Sequence, residues 1–203
     1  MTDDLPQASA GFPVLPPLAP QVRSSWRRAF GVTMMRLVGW RVVGNAPNLP
    51  KFILIVAPHT SNWDFFYGAL SYFALRLDTR WMVKDSAIKG PLGKLAKHFG
   101  AAPIDRRNAG NVVQAYVREF ERNERMMLVI TPEGTRKKVP DWKRGFYHIA
   151  MGAKVPIVPV AFDYRTRHII FNPPFFPTGD MEGDVAKIKA LYCKEMARHP
   201  EQF

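Results

Sequence analysis

A single α/β domain, built on a mixed and mostly parallel sheet flanked by helices, is the fold class this sequence predicts. Three observations predict it. Segments with strand character alternate with segments of helical periodicity along the chain. The strongest apolar runs, Phe52-Ile53-Leu54-Ile55-Val56 and Met126-Met127-Leu128-Val129-Ile130, are short and unbroken, as strands covered on both faces should be. A chain of 203 residues, 47% of them hydrophobic, suffices for one sizeable core and excludes global disorder.

Residues 1–22 carry Pro6, Pro13, Pro16, Pro17 and Pro20 and predict a flexible, partly polyproline leader ahead of a domain spanning 23–203. A helix is expected over 24–41, capped by Ser24 or Ser25. On a helical wheel Trp26, Phe30, Thr33, Leu37 and Trp40 share one face, Arg41 lies within it near the end, and Arg27, Arg28 and Arg36 lie off it. Two readings of this helix stand side by side: a stripe packed on the domain, or a basic interfacial helix touching a membrane surface. Gly31 and Gly39 weaken it as a free helix.

Arg41-Val42-Val43 reads as a short strand and Asn45–Pro50 as a turn. The strand Phe52–Val56 ends at Pro58, and a helical pattern runs from Phe65 to Leu77. Trp81-Met82-Val83 is a short strand. Gly90–Phe99 reads as a helix with Pro91 at its first position. Ala102–Asp105 is extended. Asn111–Arg122 is amphipathic, with Val112, Ala115, Tyr116 and Phe120 along one side. After the strand Met126–Ile130 come a helix over Lys143–Ala153, strands over Val155–Phe162 and Arg167–Phe171, and a closing helix over Val185–Arg198.

Charge narrows the partners. With 29 Lys+Arg against 17 Asp+Glu the net charge is +12, which predicts an anionic partner: an acidic membrane surface, a phosphorylated small molecule or a nucleic acid. No nucleic-acid fold signature is present, so nucleic acid is not expected. Cys193 is the only cysteine, so no intramolecular disulfide can form. The acidic start lacks the pattern of a secretory signal, and no apolar stretch approaches the roughly 20 residues of a membrane span. The expectation is a cytoplasmic protein attached peripherally to the inner face of the membrane. No histidine or cysteine spacing suits a metal, and no phosphate- or dinucleotide-binding glycine pattern occurs, so no metal and no cofactor are expected.

Two short constellations carry the chemistry. His59 and Asp64 follow the carboxyl end of the first strong strand, where sites gather in open α/β sheets. On one continuous helix their side chains would diverge by about 140°. A working pair therefore needs His59 in a loop and Asp64 in the first turn of the next helix, with Ser61 or Asn62 as its cap. The pair then makes a base oriented by a carboxylate. Taken singly, Asp64 is equally explained by the helix dipole and His59 by a structural hydrogen bond. The second constellation, Glu133-Gly134-Thr135-Arg136, follows the strand Met126–Ile130. Thr131-Pro132-Glu133-Gly134 fits a type I turn, which accounts for Pro132 and Gly134 but not for Arg136. A guanidinium there can hold a phosphate bidentately, with Glu133 able to orient it. Lys84 and Arg106, each at the end of an extended segment, are further phosphate ligands or solvated loop charges.

In order along the chain, His59-Thr60-Ser61-Asn62-Trp63-Asp64, the stretch from Lys84 through Pro91 and Gly93 to Ile104-Asp105-Arg106, Pro132-Glu133-Gly134-Thr135-Arg136, and Val155-Pro156-Ile157-Val158-Pro159-Val160 resemble the motif blocks of the glycerolipid acyltransferases of the 1-acylglycerol-3-phosphate acyltransferase type. The resemblance covers about residues 52–162. It implies that fold, with His59 as base and Asp64 as its partner. It further implies that Glu133, Gly134, Thr135 and Arg136 hold the acceptor's phosphate, that Arg106 makes a second phosphate contact, and that Pro156 shapes the acyl side. The implied donor is acyl-CoA or acyl-carrier protein, and the implied acceptor a lysophospholipid. Thr131 stands where an aromatic is frequent, and Lys137-Lys138 follow Arg136 in place of a small polar residue. These departures leave the acceptor open. A thioesterase and a non-catalytic basic membrane-binding protein are the rival readings.

Overall fold

The computed structural model describes residues 12–84, 100–104 and 109–203, with the backbone alone for 82–84, 101–104 and 109–111. Its strands are β1 (Arg41–Val43), β2 (Lys51–Ala57), β3 (Arg80–Lys84), β4 (Ala101–Ile104), β5 (Met126–Ile130), β6 (Ile157–Asp163) and β7 (His168–Phe171). They form one seven-stranded sheet in the order β1-β7-β6-β2-β5-β3-β4. Every neighbouring pair is parallel except β6 with β7, which is antiparallel. The described helices are α1 (Ser25–Leu37), α2 (Asn62–Leu75), α3 (Ala109–Arg122), α4 (Gly145–Ala153) and α5 (Met181–Lys189). The mixed, mostly parallel sheet with flanking helices is the architecture expected.

The unbroken apolar runs are explained by burial on both faces. Ile53, Ile55 and Leu128 point into a cluster with Phe120 of α3, Phe146 and Ile149 of α4, and Ile188 of α5. Phe52, Leu54 and Met127 point the other way, into a cluster with Met35 of α1 and Leu70 and Ala74 of α2. Alternate residues of one strand therefore feed two cores. β2 lies between β6 and β5, so its exit is framed by the exits of both neighbours.

Three expectations need revision. Residues 12–22 are no flexible leader. Leu15 and Ala19 are buried, the Val22 N–H donates to the Arg76 carbonyl at 2.8 Å, and Gln21 bridges to Leu77. Arg28 ties this segment down by donating to the carbonyls of Phe12, Pro13 and Ala74. That guanidinium is thus spent on structure rather than turned outward.

α1 ends at Leu37, not residue 41, because Gly39 turns the chain at φ +73° into β1. Its buried face is Gly31 and Met35, whereas Trp26, Phe30 and Leu37 are exposed. Gly31 is where α1 crosses α2: an added Cβ would lie inside the backbone of Ala74. Trp40 of the expected stripe is buried, but past the helix end.

The closing helix starts earlier and stops earlier than expected. Asp180 caps it by accepting from the Gly183 N–H, and after Lys189 the chain folds back through 3-10 turns at Lys194–Met196 and Pro200–Gln202. The helix expected over Gly90–Phe99 lies outside the described residues.

Candidate active site

β2 delivers the chain to Pro58, and α2 starts four residues later at Asn62. Ser61 caps α2 by accepting from the Trp63 N–H at 3.2 Å, and the Asp64 carboxylate reaches back to accept from the Ser61 N–H at 2.9 Å. This capping box solves the spacing problem, because it fixes Asp64 in the first helical turn with His59 still in the loop. Asp64 Oδ2 also accepts from the Thr60 N–H at 2.9 Å and meets His59 Nδ1 at 3.1 Å. Asp64 is 3% exposed. An ionised carboxylate only accepts, so the proton between them sits on Nδ1 and His59 Nε2 keeps a free lone pair.

The second oxygen of Asp64 has a partner that sequence reasoning missed. Tyr164, just past β6, donates its hydroxyl to Asp64 Oδ1 at 2.5 Å. Burial first, then the Asp64 carboxylate, push the Tyr164 phenol well above its ordinary range, so it stays a donor. Trp40 and Tyr67 pack edge-on against its ring. At 100 positions apart in the chain, nothing in the sequence pairs Tyr164 with Asp64.

Glu133 does something other than orient an arginine. Its Oε2 accepts from the His59 N–H at 2.8 Å, so it braces the loop of His59 from the β5 side. It is buried, and Oε1 has no hydrogen-bond partner among the described residues. Burial pushes its carboxyl up to about 7, with the nearby Asp64 charge adding to the rise and the His59 N–H opposing it.

The turn expected at 131–134 is present, with the Gly134 N–H donating to the Thr131 carbonyl at 3.1 Å. Gly134 sits at φ +66°, where a side chain would be strained and would press on the Lys143 side chain. Thr135 Oγ1 accepts from the Lys137 N–H at 3.3 Å. Arg136 is exposed, and its guanidinium has no hydrogen bond or ion pair among the described residues. A cleft of about 340 Å³ opens beside Glu133, lined by Lys138, Val139, Trp142, Lys189 and Phe203.

Not every predicted residue converges here. Pro156 lies at the opposite end of the sheet: its carbonyl accepts from the Ile53 N–H, and Ile53 and Ile157 pair at the start of β2 and β6. Four residues of strand, about 13 Å, separate that level from the exit of β2 at Ala57. Lys84 ends β3 on the same edge of the sheet as His59, but its side chain is outside the described portion, as is the whole of Arg106. Among the described residues no cluster of His, Cys, Asp and Glu could hold a metal ion.

Several large apolar side chains are exposed: Trp63, Phe65 and Phe66 in the first turns of α2, and Trp26, Phe30 and Leu37 of α1, where Trp26 and Phe30 meet Phe73 near the far end of α2. No helix among the described residues is long and apolar enough to cross a membrane.

A family model described as Acyltransferase matches residues 41–163, which hold both the His59–Asp64 pair and the Glu133–Arg136 loop. A 1-acyl-sn-glycerol-3-phosphate acyltransferase of Streptococcus pneumoniae is 30% identical over 136 residues, covering 62% of this chain and 50% of that protein. A 1-acyl-sn-glycerol-3-phosphate acyltransferase of Cocos nucifera is 38% identical over 114 residues, covering 53% and 36% respectively. The chain thus spans half or less of these relatives' length. The crystal structure of the 1-acyl-sn-glycerophosphate (LPA) acyltransferase PlsC from Thermotoga maritima superimposes with a TM-score of 0.60 at 17% identity, over 82% of this chain and 75% of that one. That likeness is one of fold.

Proposed function

The chain belongs to the Acyltransferase family, and from that premise we propose that it moves a fatty acyl group from an acyl thioester to the hydroxyl of a lysophospholipid such as 1-acylglycerol-3-phosphate, in phospholipid biosynthesis. The single observation that carries this reading is the His59–Asp64 pair, held with Nε2 free at the exit of the central strand. His59 Nε2 takes the acceptor's hydroxyl proton as the oxygen attacks the thioester carbonyl carbon. A C–O bond forms and a tetrahedral intermediate results. Its collapse breaks the C–S bond, and the imidazolium returns the proton to the departing thiolate. Asp64 stabilises the imidazolium meanwhile. The thioester is already activated, so the chain needs no acyl-enzyme and no cofactor of its own; acyl-CoA or acyl-carrier protein is the co-substrate. Arg136, with the loop Gly134–Thr135, is assigned the acceptor's phosphate.

The experiment supplies labelled acyl-CoA and acyl-carrier protein with a panel of lysolipids and identifies the product by mass. Acylated phospholipid is the expected product, and His59→Ala lowers its rate about 10²- to 10⁴-fold. Free fatty acid released equally fast without acceptor would replace this reading with a thioesterase. Full transfer by His59→Ala would remove the base.

The relatives' acceptors are lipids by name, and the exposed aromatic side chains of α1 and α2, with the net charge of +12, suit a protein lying peripherally on an anionic membrane. Trp26→Ser together with Phe30→Ser is expected to lose sedimentation with anionic vesicles. Undiminished sedimentation would show that this surface does not meet lipid.

A further inference from the structure

The tail after α5 runs back across the catalytic loop. The Tyr164 N–H donates to the Met196 carbonyl at 2.9 Å, and the His199 N–H donates to Thr60 Oγ1 at 3.2 Å. Between these two anchors Arg198 lays its guanidinium 5.5 Å from the centre of the Trp63 ring and 5.8 Å from that of Tyr164. Trp63 precedes Asp64 in the chain, and Tyr164 donates to Asp64. Both rings that hold Arg198 therefore belong to the wall of the active site.

Cation–π contact with two rings restrains an exposed side chain that would otherwise sample many rotamers. It leaves the edge of the guanidinium, where the N–H donors point, unused. Among the described residues Arg198 makes no side-chain hydrogen bond and no ion pair, whereas Arg165 is paired with Asp163 at 2.9 Å. A guanidinium held in place with its donors unspent is a ready anion ligand.

Its position within the sheet says which anion. β2 has β5 on one side and β6 on the other. Arg136 arrives from the β5 side. Arg198 is held by Tyr164, which arrives from the β6 side. Arg136 thus follows the strand on one side of β2, and a ring that holds Arg198 follows the strand on the other. Acyl transfer brings two phosphate-bearing molecules to this base: a phosphorylated acceptor, and a thioester carried on a phosphopantetheine arm. One flank suffices for one of them.

We propose that Arg198 binds a phosphate of the acyl donor, on the phosphopantetheine arm or on the nucleotide beyond it, while Arg136 serves the acceptor. This rests on the acyltransferase reading of the site. The flexible arm spans from the thioester at His59 to a phosphate at the rim beside Trp63. Coenzyme A and the prosthetic group of a carrier protein share that arm, so either source offers the same phosphate.

The test compares wild type, Arg198→Gln and Arg198→Lys with three donors: acyl-CoA, S-acyl-4′-phosphopantetheine, and S-acyl-pantetheine, which has no phosphate. Arg198→Gln is expected to raise the KM for acyl-CoA about tenfold, with kcat, the acceptor KM and the S-acyl-pantetheine KM unchanged. Arg198→Lys recovers part of the loss. A matching rise with S-acyl-4′-phosphopantetheine assigns the contact to the shared phosphate; a rise with acyl-CoA alone assigns it to the nucleotide. Equal KM changes for all three donors, or none, would overturn the proposal and leave Arg198 as a clamp on Trp63 and Tyr164. A shift in the acceptor KM alone would overturn it too.

Calorimetric binding of coenzyme A against pantetheine separates this contact from the function beneath it. Wild type that transfers no acyl group, yet binds coenzyme A about tenfold more tightly than Arg198→Gln does, would refute the transferase and keep the contact. Active transfer with no Arg198 effect on coenzyme A binding would refute the contact and keep the transferase.

Discussion

The loop that carries His59 and the loop that carries Arg136 leave adjacent strands, β2 and β5, yet they are built in opposite ways. In the first, Asp64 is met by His59, Thr60, Ser61 and Tyr164, and the His59 N–H is held by Glu133. In the second, Thr135, Arg136, Lys137 and Lys138 are all exposed. The difference separates two demands. A base must be aligned to within a few tenths of an ångström before the substrate arrives, because misplacement costs rate. A cation that meets a solvated phosphate gains from a flexible loop and needs only reach. On the proposed function, the residues assigned to the chemistry are bonded and largely buried, and those assigned to recognition are exposed.

The largest way to break the rigid half is through Glu133. Its carboxyl is raised from 4.5 to about 7, chiefly by burial. A raised value means that the folded state holds a proton the unfolded state has already lost. Stability from this group is full below about pH 4.5, is lost as pH rises toward 7, and stays lost above it. The expected loss is up to about 3 kcal/mol. Glu133→Gln keeps an acceptor for the His59 N–H but removes the titration. Chemical denaturation of both proteins from pH 4 to 8 checks this, and a constant difference between them across that range would show that folding does not raise the Glu133 carboxyl.

Tyr164→Phe tests the next brace. It deletes one hydrogen bond to Asp64 Oδ1 and keeps the ring that Trp40, Tyr67 and Arg198 pack against. Partners of this kind orient the group that does the chemistry, and their loss costs about ten- to a hundredfold. The cost is expected in kcat with both KM values unchanged. A far-downfield NMR signal is expected from the proton between His59 Nδ1 and Asp64 in the wild type, and in the variant it should broaden or vanish. Unchanged kcat with that proton still sharp would reduce Tyr164 to a packing residue.

What could be read from the sequence follows the same division between local and distant. β2 and β5 were legible because continuous apolar runs mark strands buried on both faces. The His59–Asp64 geometry was legible because a capping box is settled within six residues. Tyr164 was not, since its bond to Asp64 exists only after β6 is placed beside β2. α1 misled because its tightest approach to α2 is at Gly31, a residue with no hydrophobic signal, while its tryptophan and phenylalanine touch α2 only at Phe73 and stay exposed. Residues 12–22 read as a leader because proline-rich composition carries no sign of the arginine that fastens their carbonyls. Pro156 shows the limit of motif order: nearness to a motif block in sequence does not choose which end of a strand a residue occupies.

Arg136→Gln acts on the loose half and gives the smallest effect. The guanidinium is exposed and makes no contact that the fold requires among the described residues, so the variant should fold as wild type does. The contact proposed for it with an acceptor phosphate is the same before and during acyl transfer, since the phosphate takes no part in the bonds made or broken. Removing such uniform binding raises KM and spares kcat. The expected rise in the acceptor KM is about tenfold, the worth of one charge-assisted hydrogen bond at a solvated site. A monoacylglycerol acceptor, which lacks the phosphate, should be used equally by wild type and variant. If kcat falls instead, or if the variant loses the phosphate-free acceptor to the same degree, then Arg136 belongs to the rigid half, and the separation of aligned chemistry from loose recognition fails at the residue where it is easiest to measure.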